Sequence, residues 1–219
     1  VAVSAVLFEA GAVVPGLERL ISEAARIGAI PLVDVYHAFN VVPVTWGVDV
    51  DAAYVVGGGY KYAQLGEGVC FMRLPSTCAL RPRDTGWFAE FGALSTGAGG
   101  GLAYGDGGAR FAGATFDPCG FYRADAGLDA QDAFGLDAPE LGRRSLGQTA
   151  RLTSAAAAAG LPVVSPTAAS ERGGFVAIAV PSAERVVEAL RRRDVFVDAR
   201  RGRVRLGPAP YVLDEELDR

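Results

Sequence analysis

The chain is poor in the residues that build metal sites, disulfide frameworks and membrane spans. Among its 219 residues there is one histidine, His37, and one methionine, Met72. The three cysteines, Cys70, Cys78 and Cys119, are odd in number and form no CxxC pair. Neither a zinc ligand set nor a disulfide framework is expected from them. Free thiols of this kind fit a reducing, cytoplasmic setting. No apolar run reaches the ~18 residues that a membrane span needs. Positive charge is not in excess either. The net charge is −4, which argues against nucleic acid as the main partner.

What the chain has instead is apolar residues, half of the total, and 29 glycines. That is enough for a sizeable core. "VAVSAVLF" (1–8) reads as a buried strand, and "PGLERLISEAARIGA" after it has Leu17, Leu20, Ile21, Ala24 and Ala25 at helical spacing. Pro15 suits a helix start and Gly28 a helix stop. "IPLVDVY" (30–36) is continuously apolar up to its aspartate, as strands covered on both faces are. Strand, helix and strand at this spacing predict a βαβ unit of a parallel sheet. "AAYVV" (52–56) and "GVCFMRL" (68–74) predict two further strands, the second reading as buried. "GAGGGLAYGDGGAR" (97–110) reads as a loop, and having no strand before it and no helix after it, is not a phosphate cradle.

Past residue 125 the pattern changes. "LGRRSLGQTARLTSAAAAAG" predicts a long helix, "GGFVAIAV" a strand, "SAERVVEALRRRD" a helix with Val186, Val187 and Leu190 on its apolar face, and "VFVDAR" and "RVRLGPAP" short strands. The expected organisation is a partial α/β domain over 1–125 and a small α+β domain over 126–219.

Three residues in the first part stand where chemistry is done. Open α/β sheets bind ligands at the carboxyl ends of their strands. Asp34 ends one such strand, His37 follows three residues later, and Lys61 ends the next strand inside "GGGYKYAQLGEG". Read singly, Asp34 is a cap or ion-pair partner, His37 a packed loop residue and Lys61 a surface lysine. Read together, with glycines that let a ligand approach the backbone, they are an aspartate able to pair a pyridinium nitrogen and a lysine able to form a Schiff base. Those are the two groups that pyridoxal phosphate most requires of a protein. Arg205, flanked by Val204 and Leu206, reads either as an edge-strand charge or as an anion-binding fork.

These motifs resemble the class V aminotransferase superfamily of fold-type I pyridoxal-phosphate enzymes, and within it kynureninases. The resemblance rests on "LVDVYHAFNVVPV", "GGGYKYAQLGEG", "TGWFAEF", "RFAGATFDP" and "VRLGPAPY", in that order over almost the whole chain. It implies a three-layer α/β/α large domain, here partial, followed by the small α+β domain. It also implies roles. Asp34 would hold the pyridine nitrogen of the cofactor, His37 would stand near its phenolic oxygen, and Tyr60 would touch its phosphate. Lys61 would be the Schiff-base lysine and proton shuttle. Trp87 and Thr115 would reach the phosphate of a partner subunit's cofactor, so a homodimer is implied. Arg205 would bind the substrate's α-carboxylate.

Two stretches depart from the family pattern. "AQLGEG" stands where kynureninases usually carry a Gly-Gly-Pro-Gly type sequence, and "GATFDP" where many relatives have Gly-Thr-Pro or Asn-Pro-Pro. The resemblance also expects a phosphate-binding loop and a ring-stacking aromatic upstream of Val1, so the chain reads as a fragment lacking an N-terminal part. The expected function is that of a cytoplasmic enzyme acting on an amino acid by kynureninase-like hydrolytic cleavage at Cβ–Cγ. Transamination and Cβ–S cleavage are the alternatives within the superfamily. A non-catalytic fragment without the phosphate loop is the alternative outside it.

Overall fold

The computed structural model describes residues 1–43, 50–96 and 103–219. The first apolar run is divided. Strand β1 (Ala2–Ser4) enters the main sheet, whereas β2 (Val6–Leu7) turns back and pairs antiparallel with β3 (Ala12–Val13). One strand over 1–8 is thereby corrected to two. The cause is Gly11, at φ 64°, whose amide donates to the Leu7 carbonyl at 2.8 Å and closes a tight reversal. A side chain there would lie 2.8 Å from the Phe175 carbonyl oxygen, so only glycine fits.

Helix α1 (Leu17–Arg26) starts beyond Pro15 and stops before Gly28, at φ 75°. It buries Ala24, and it buries Ile21 in the sheet's core. The chain then forms β4 (Leu32–Asp34) and β5 (Tyr54–Gly58), both parallel to β1, with Ser4, Asp34 and Val56 in register. Val33, Val35 and Val55 pack with Val6, Ile21 and Val50 in one core beneath. Apolar burial on this scale, about 25 cal/mol per Å², is what secures the strand ends on which the site stands.

Strand β6 (Cys70–Arg73) closes the sheet antiparallel to β5, in the order β1-β4-β5-β6. The buried reading of this strand is corrected: Cys70, Phe71 and Met72 are all exposed. An apolar run in an outer strand is covered only where another layer lies over it, and period alone does not reveal that. The segments Trp87–Thr96 and Gly107–Phe111 form 3-10 turns. Most of the loop read at 97–110 is framed by them, and residues 97–102 of it lie outside the described residues.

Helix α2 (Cys119–Ala133) was not foreseen, because its apolar residues have no helical period. It spans residues 125 and 126, and its Ala124 packs on Ala63, Leu65 and Val69 in the segment after Lys61. Helix α3 (Ala138–Ala158) starts three residues earlier than "LGRRS", capped by Asp137, whose carboxylate accepts from the Glu140 amide at 2.9 Å. Strand β7 (Val176–Ala179), helix α4 (Ala183–Arg191), and strands β8 (Asp198–Arg200) and β9 (Arg203–Leu206) complete the second layer, with the antiparallel order β7-β9-β8. α3 covers this sheet through Leu152 and Ala156 against Val176 and Ile178. A short helix, α5 (Asp214–Leu217), ends the chain. Among the described residues no helix is long and apolar enough to cross a membrane.

Polar contacts tie the turn between β2 and β3 to the second part of the chain. Ser165 donates to the Ala10 carbonyl at 2.6 Å and accepts from the Ala177 amide at 2.7 Å. Glu9 pairs with Arg201 and with Arg203, the latter at 3.2 Å. The His37 ring also lies 5.7 Å from that of Phe175, which immediately precedes β7, and the candidate site lies at this junction.

Candidate active site

Lys61 is the only lysine of the chain. It follows the carboxyl end of β5, and its Nζ is hydrogen-bonded to His37 Nε2 at 2.7 Å. His37 follows β4, so neighbouring parallel strand ends bring the two together. The ammonium also lies 5.7 Å from the ring centroids of Tyr36 and Tyr60, a weak cation–π embrace. Burial holds Lys61 below the ordinary lysine pKa, and the Asp34 carboxylate partly opposes this.

His37 is pushed down to about 4, chiefly by burial and then by the positive charges of Lys61 and Arg205. It is thus neutral near pH 7. While Lys61 is an ammonium it donates to Nε2, which assigns the ring proton to Nδ1. That Nδ1 is buried and has no hydrogen-bond partner. A buried donor without an acceptor is uncommon enough to require explanation.

Asp34 ends β4 with both carboxylate oxygens engaged. Oδ1 accepts from the Tyr36 amide at 2.8 Å and Oδ2 from the Ser4 hydroxyl at 3.3 Å. These bonds fix the carboxylate while each oxygen keeps a further lone pair. Tyr60 is exposed, with its ring 5.5 Å from that of Tyr36. The Tyr36 hydroxyl donates to Cys70 Sγ at 3.2 Å, and this contact pushes its phenol up to about 12.

The glycines before Lys61 do something other than what the sequence suggested. A Cβ on Gly57 would stand 2.6 Å from the Phe71 ring, one on Gly58 2.5 Å from Tyr36, and one on Gly59 2.6 Å from Leu65. The protein's own side chains occupy that space. Room for a ligand beside these glycines is corrected to room for Phe71, Tyr36 and Leu65, which build the wall behind Lys61.

Arg205, in β9, reaches the same junction from the small sheet. Its Nε donates to Asp198 Oδ1 at 2.7 Å, its Nη2 pairs with Asp198 Oδ2, and its Nη1 donates to the Phe8 carbonyl at 2.8 Å. The guanidinium lies 5.3 Å over the ring of Phe175, which in turn lies 5.7 Å from the His37 ring. Beside His37 and Lys61 is a cavity of about 250 Å³ bounded by these two residues and by Tyr62, Gln64, Gly207 and Pro208.

Asp34, His37, Tyr60 and Lys61 thus form one cluster, with Arg205 facing it from the second sheet. Trp87 and Thr115 lie elsewhere on the exposed surface, with the Trp87 ring stacked among Phe88 and Phe91. Sequence reasoning missed Asp198, Tyr62 and Phe175. It also missed the clasp on the segment after Lys61. There Arg123 donates to the Leu65 carbonyl at 3.3 Å and to the Glu67 carbonyl, and Gln131 donates to the Ala63 carbonyl at 2.7 Å. This explains what "AQLGEG" does in place of the family's sequence: it presents backbone carbonyls to α2. Gly66, at φ 85°, is needed because a Cβ there would strike the Arg123 guanidinium.

Comparison with known proteins agrees with this architecture. The apo cysteine desulfurase from Thermococcus onnurineus NA1 superposes with a TM-score of 0.82 at 20% identity, covering 99% of this chain and 56% of that one. The fold is that of the fold-type I pyridoxal-phosphate enzymes. The cystine C–S lyase C-DES, in complex with cysteine persulfide, gives a TM-score of 0.82 at 19% identity, over 99% of this chain and 58% of that one. Alanine–glyoxylate aminotransferase from Nostoc sp. gives 0.68 at 18% identity, over 99% and 58%. The chain therefore spans little more than half the length of these structures. Residues 141–219 match the kynureninase C-terminal domain family. No curated protein matches the chain.

Proposed function

We propose that this chain carries the pyridoxal-phosphate and substrate-binding machinery of a class V enzyme acting on an α-amino acid. The observation that carries the reading is the single lysine, desolvated and hydrogen-bonded to a neutral histidine at the carboxyl edge of a parallel sheet. The residues fit the cofactor. The unpartnered Nδ1–H of His37 suits an oxygen acceptor on the ring. Asp34, held by Tyr36 and Ser4, suits the pyridine nitrogen, and the free Tyr60 hydroxyl suits the phosphate.

When bound, pyridoxal phosphate supplies an electron-withdrawing ring that stabilises negative charge at the substrate's Cα. The chain's own groups do the rest. Lys61, with its lowered pKa, has an accessible free-amine form, which serves as nucleophile and then accepts and returns a proton at Cα. His37 orients that amine through Nε2. Asp34 keeps a positive charge on the ring nitrogen by standing beside it. Arg205, fixed by Asp198, offers its remaining N–H groups to the substrate's carboxylate. Trp87 and Thr115, on the exposed surface, would serve a second subunit's site in a homodimer.

The reaction we assign is kynureninase-like hydrolysis at Cβ–Cγ, supported by the family match over 141–219. Cβ–S cleavage is the second reading, supported by the likeness to a cysteine desulfurase and a C–S lyase. The test is to add pyridoxal phosphate to the full chain, reduce with borohydride and map the adduct by peptide mass. The mass is expected on Lys61, and the yellow colour and adduct are expected to vanish in Lys61→Ala. Colour that survives the substitution overturns the assignment. Incubation of the loaded protein with kynurenine and with cysteine then separates the two reactions by product, anthranilate against sulfide or persulfide.

A further inference from the structure

Tyr62, the residue after Lys61, points away from the large sheet into the small one. Its ring fills the space left by a glycine: a Cβ on Gly174 would stand 2.7 Å from Tyr62 Cε1 and Cζ. Its hydroxyl lies 3.8 Å from where a Cβ on Gly207 would be, at the wall of the cavity that Lys61 and His37 also line. Tyr62 is half-buried, and its hydroxyl has no hydrogen-bond partner among the described residues, which leaves it free to donate to a group in the cavity.

Arg205 stands two residues before Gly207 and close enough to Tyr62 for each to affect the other's charge. Of its five N–H groups, Nε–H and one on Nη2 are taken by Asp198, and one on Nη1 by the Phe8 carbonyl. The side edge of the fork, the usual bidentate face, is therefore closed. The positive charge is already countered by Asp198. Two N–H groups remain, fewer than the roughly four lone-pair positions of a carboxylate.

Resting on the cofactor reading above, we propose that Tyr62 is a substrate-binding residue whose hydroxyl donates to the α-carboxylate of the amino acid alongside Arg205. Burial raises its phenol well above the ordinary tyrosine value, so it stays a donor across the working range. The hydroxyl then has the partner that it lacks here, and the carboxylate gains a donor that a neutralised arginine does not supply alone. Selectivity for a free α-carboxylate over a blocked one follows from this pair.

The test is Tyr62→Phe, which keeps the ring against Gly174 and removes only the hydroxyl. The probes are 2-aminoisobutyrate, which has no Cα proton to lose, and its α-carboxamide. Both are titrated calorimetrically into the pyridoxal-phosphate-loaded chain. Tyr62→Phe is expected to leave loading unchanged and to weaken 2-aminoisobutyrate binding roughly tenfold, the size of one hydrogen bond to a charged group. Binding of the carboxamide should change little. Equal losses for both probes, or no loss for either, overturn the proposal. A wild-type chain that takes up no pyridoxal phosphate instead overturns the function on which it rests, and loading is read separately by absorbance.

Discussion

The ion pair between Asp198 and Arg205 permits a quantitative test of how the small sheet holds its arginine. Two hydrogen bonds to a charged partner contribute about 1.5–3 kcal/mol each when buried, whereas fully exposed pairs contribute about 0.2–1 kcal/mol. Here the side chains are 15% and 39% exposed, so an intermediate coupling of about 1–2 kcal/mol is expected. Asp198→Asn should cost about that much. Arg205→Met should cost more, about 2–3 kcal/mol, since it also leaves the half-buried Asp198 carboxylate with only the longer pairing to Arg200, at 3.5 Å, and removes the contacts to Phe8 and Phe175. The double variant should lose less than the sum by the coupling energy. Urea denaturation at constant slope reads all four proteins. Additivity within about 0.5 kcal/mol would show that the pair contributes nothing. The pH dependence gives an independent check. Hydrogen bonds from Arg205 hold the Asp198 carboxyl below its ordinary value. Such a group stabilises the fold fully above the unfolded carboxylate pKa of about 3.9 and loses that contribution as pH falls through the folded value. The gap between wild type and Asp198→Asn should therefore be constant from neutral pH to about pH 4 and close below it.

Other outcomes follow from the same contacts. Ser165→Ala strands the buried Ala177 amide and the Ala10 carbonyl, and should lower stability by about 2–3 kcal/mol in thermal or urea unfolding; a loss under about 0.5 kcal/mol would mean that water replaces the hydroxyl. If the exposed ring of Trp87 lies at a subunit interface, Trp87→Ala should weaken self-association in sedimentation velocity without lowering stability. A wild-type chain that is monomeric with full cofactor occupancy would remove the roles given to Trp87 and Thr115.

The βαβ unit was legible because its determinants are local: an apolar run, a 3.6-residue period and Gly28 to end the helix. Once that unit is drawn, chain order alone puts Asp34, His37 and Lys61 on adjacent strand ends. What escaped the sequence depends on partners far along the chain. Gly57 to Gly59 read as open space until Phe71, Tyr36 and Leu65 fill it. Helix α2 lacks an apolar stripe, because it docks through the single small residue Ala124 and through hydrogen bonds from Arg123 and Gln131 to backbone carbonyls. Tyr62 gains meaning only when Gly174, more than a hundred residues away, makes room for its ring. Asp198 could not be paired with Arg205 before β8 and β9 were seen side by side.

The single lysine has a practical consequence. The chain's other twenty basic side chains are arginines, which keep their charge at any pH the protein survives. The group beside His37 is therefore the only ε-amine that can be acylated, carbamylated or reductively alkylated. A mass increment on that side-chain class reports occupancy of the site directly, and peptide mapping separates it from any increment on the α-amine. Substituting Lys61 removes the entire lysine signal.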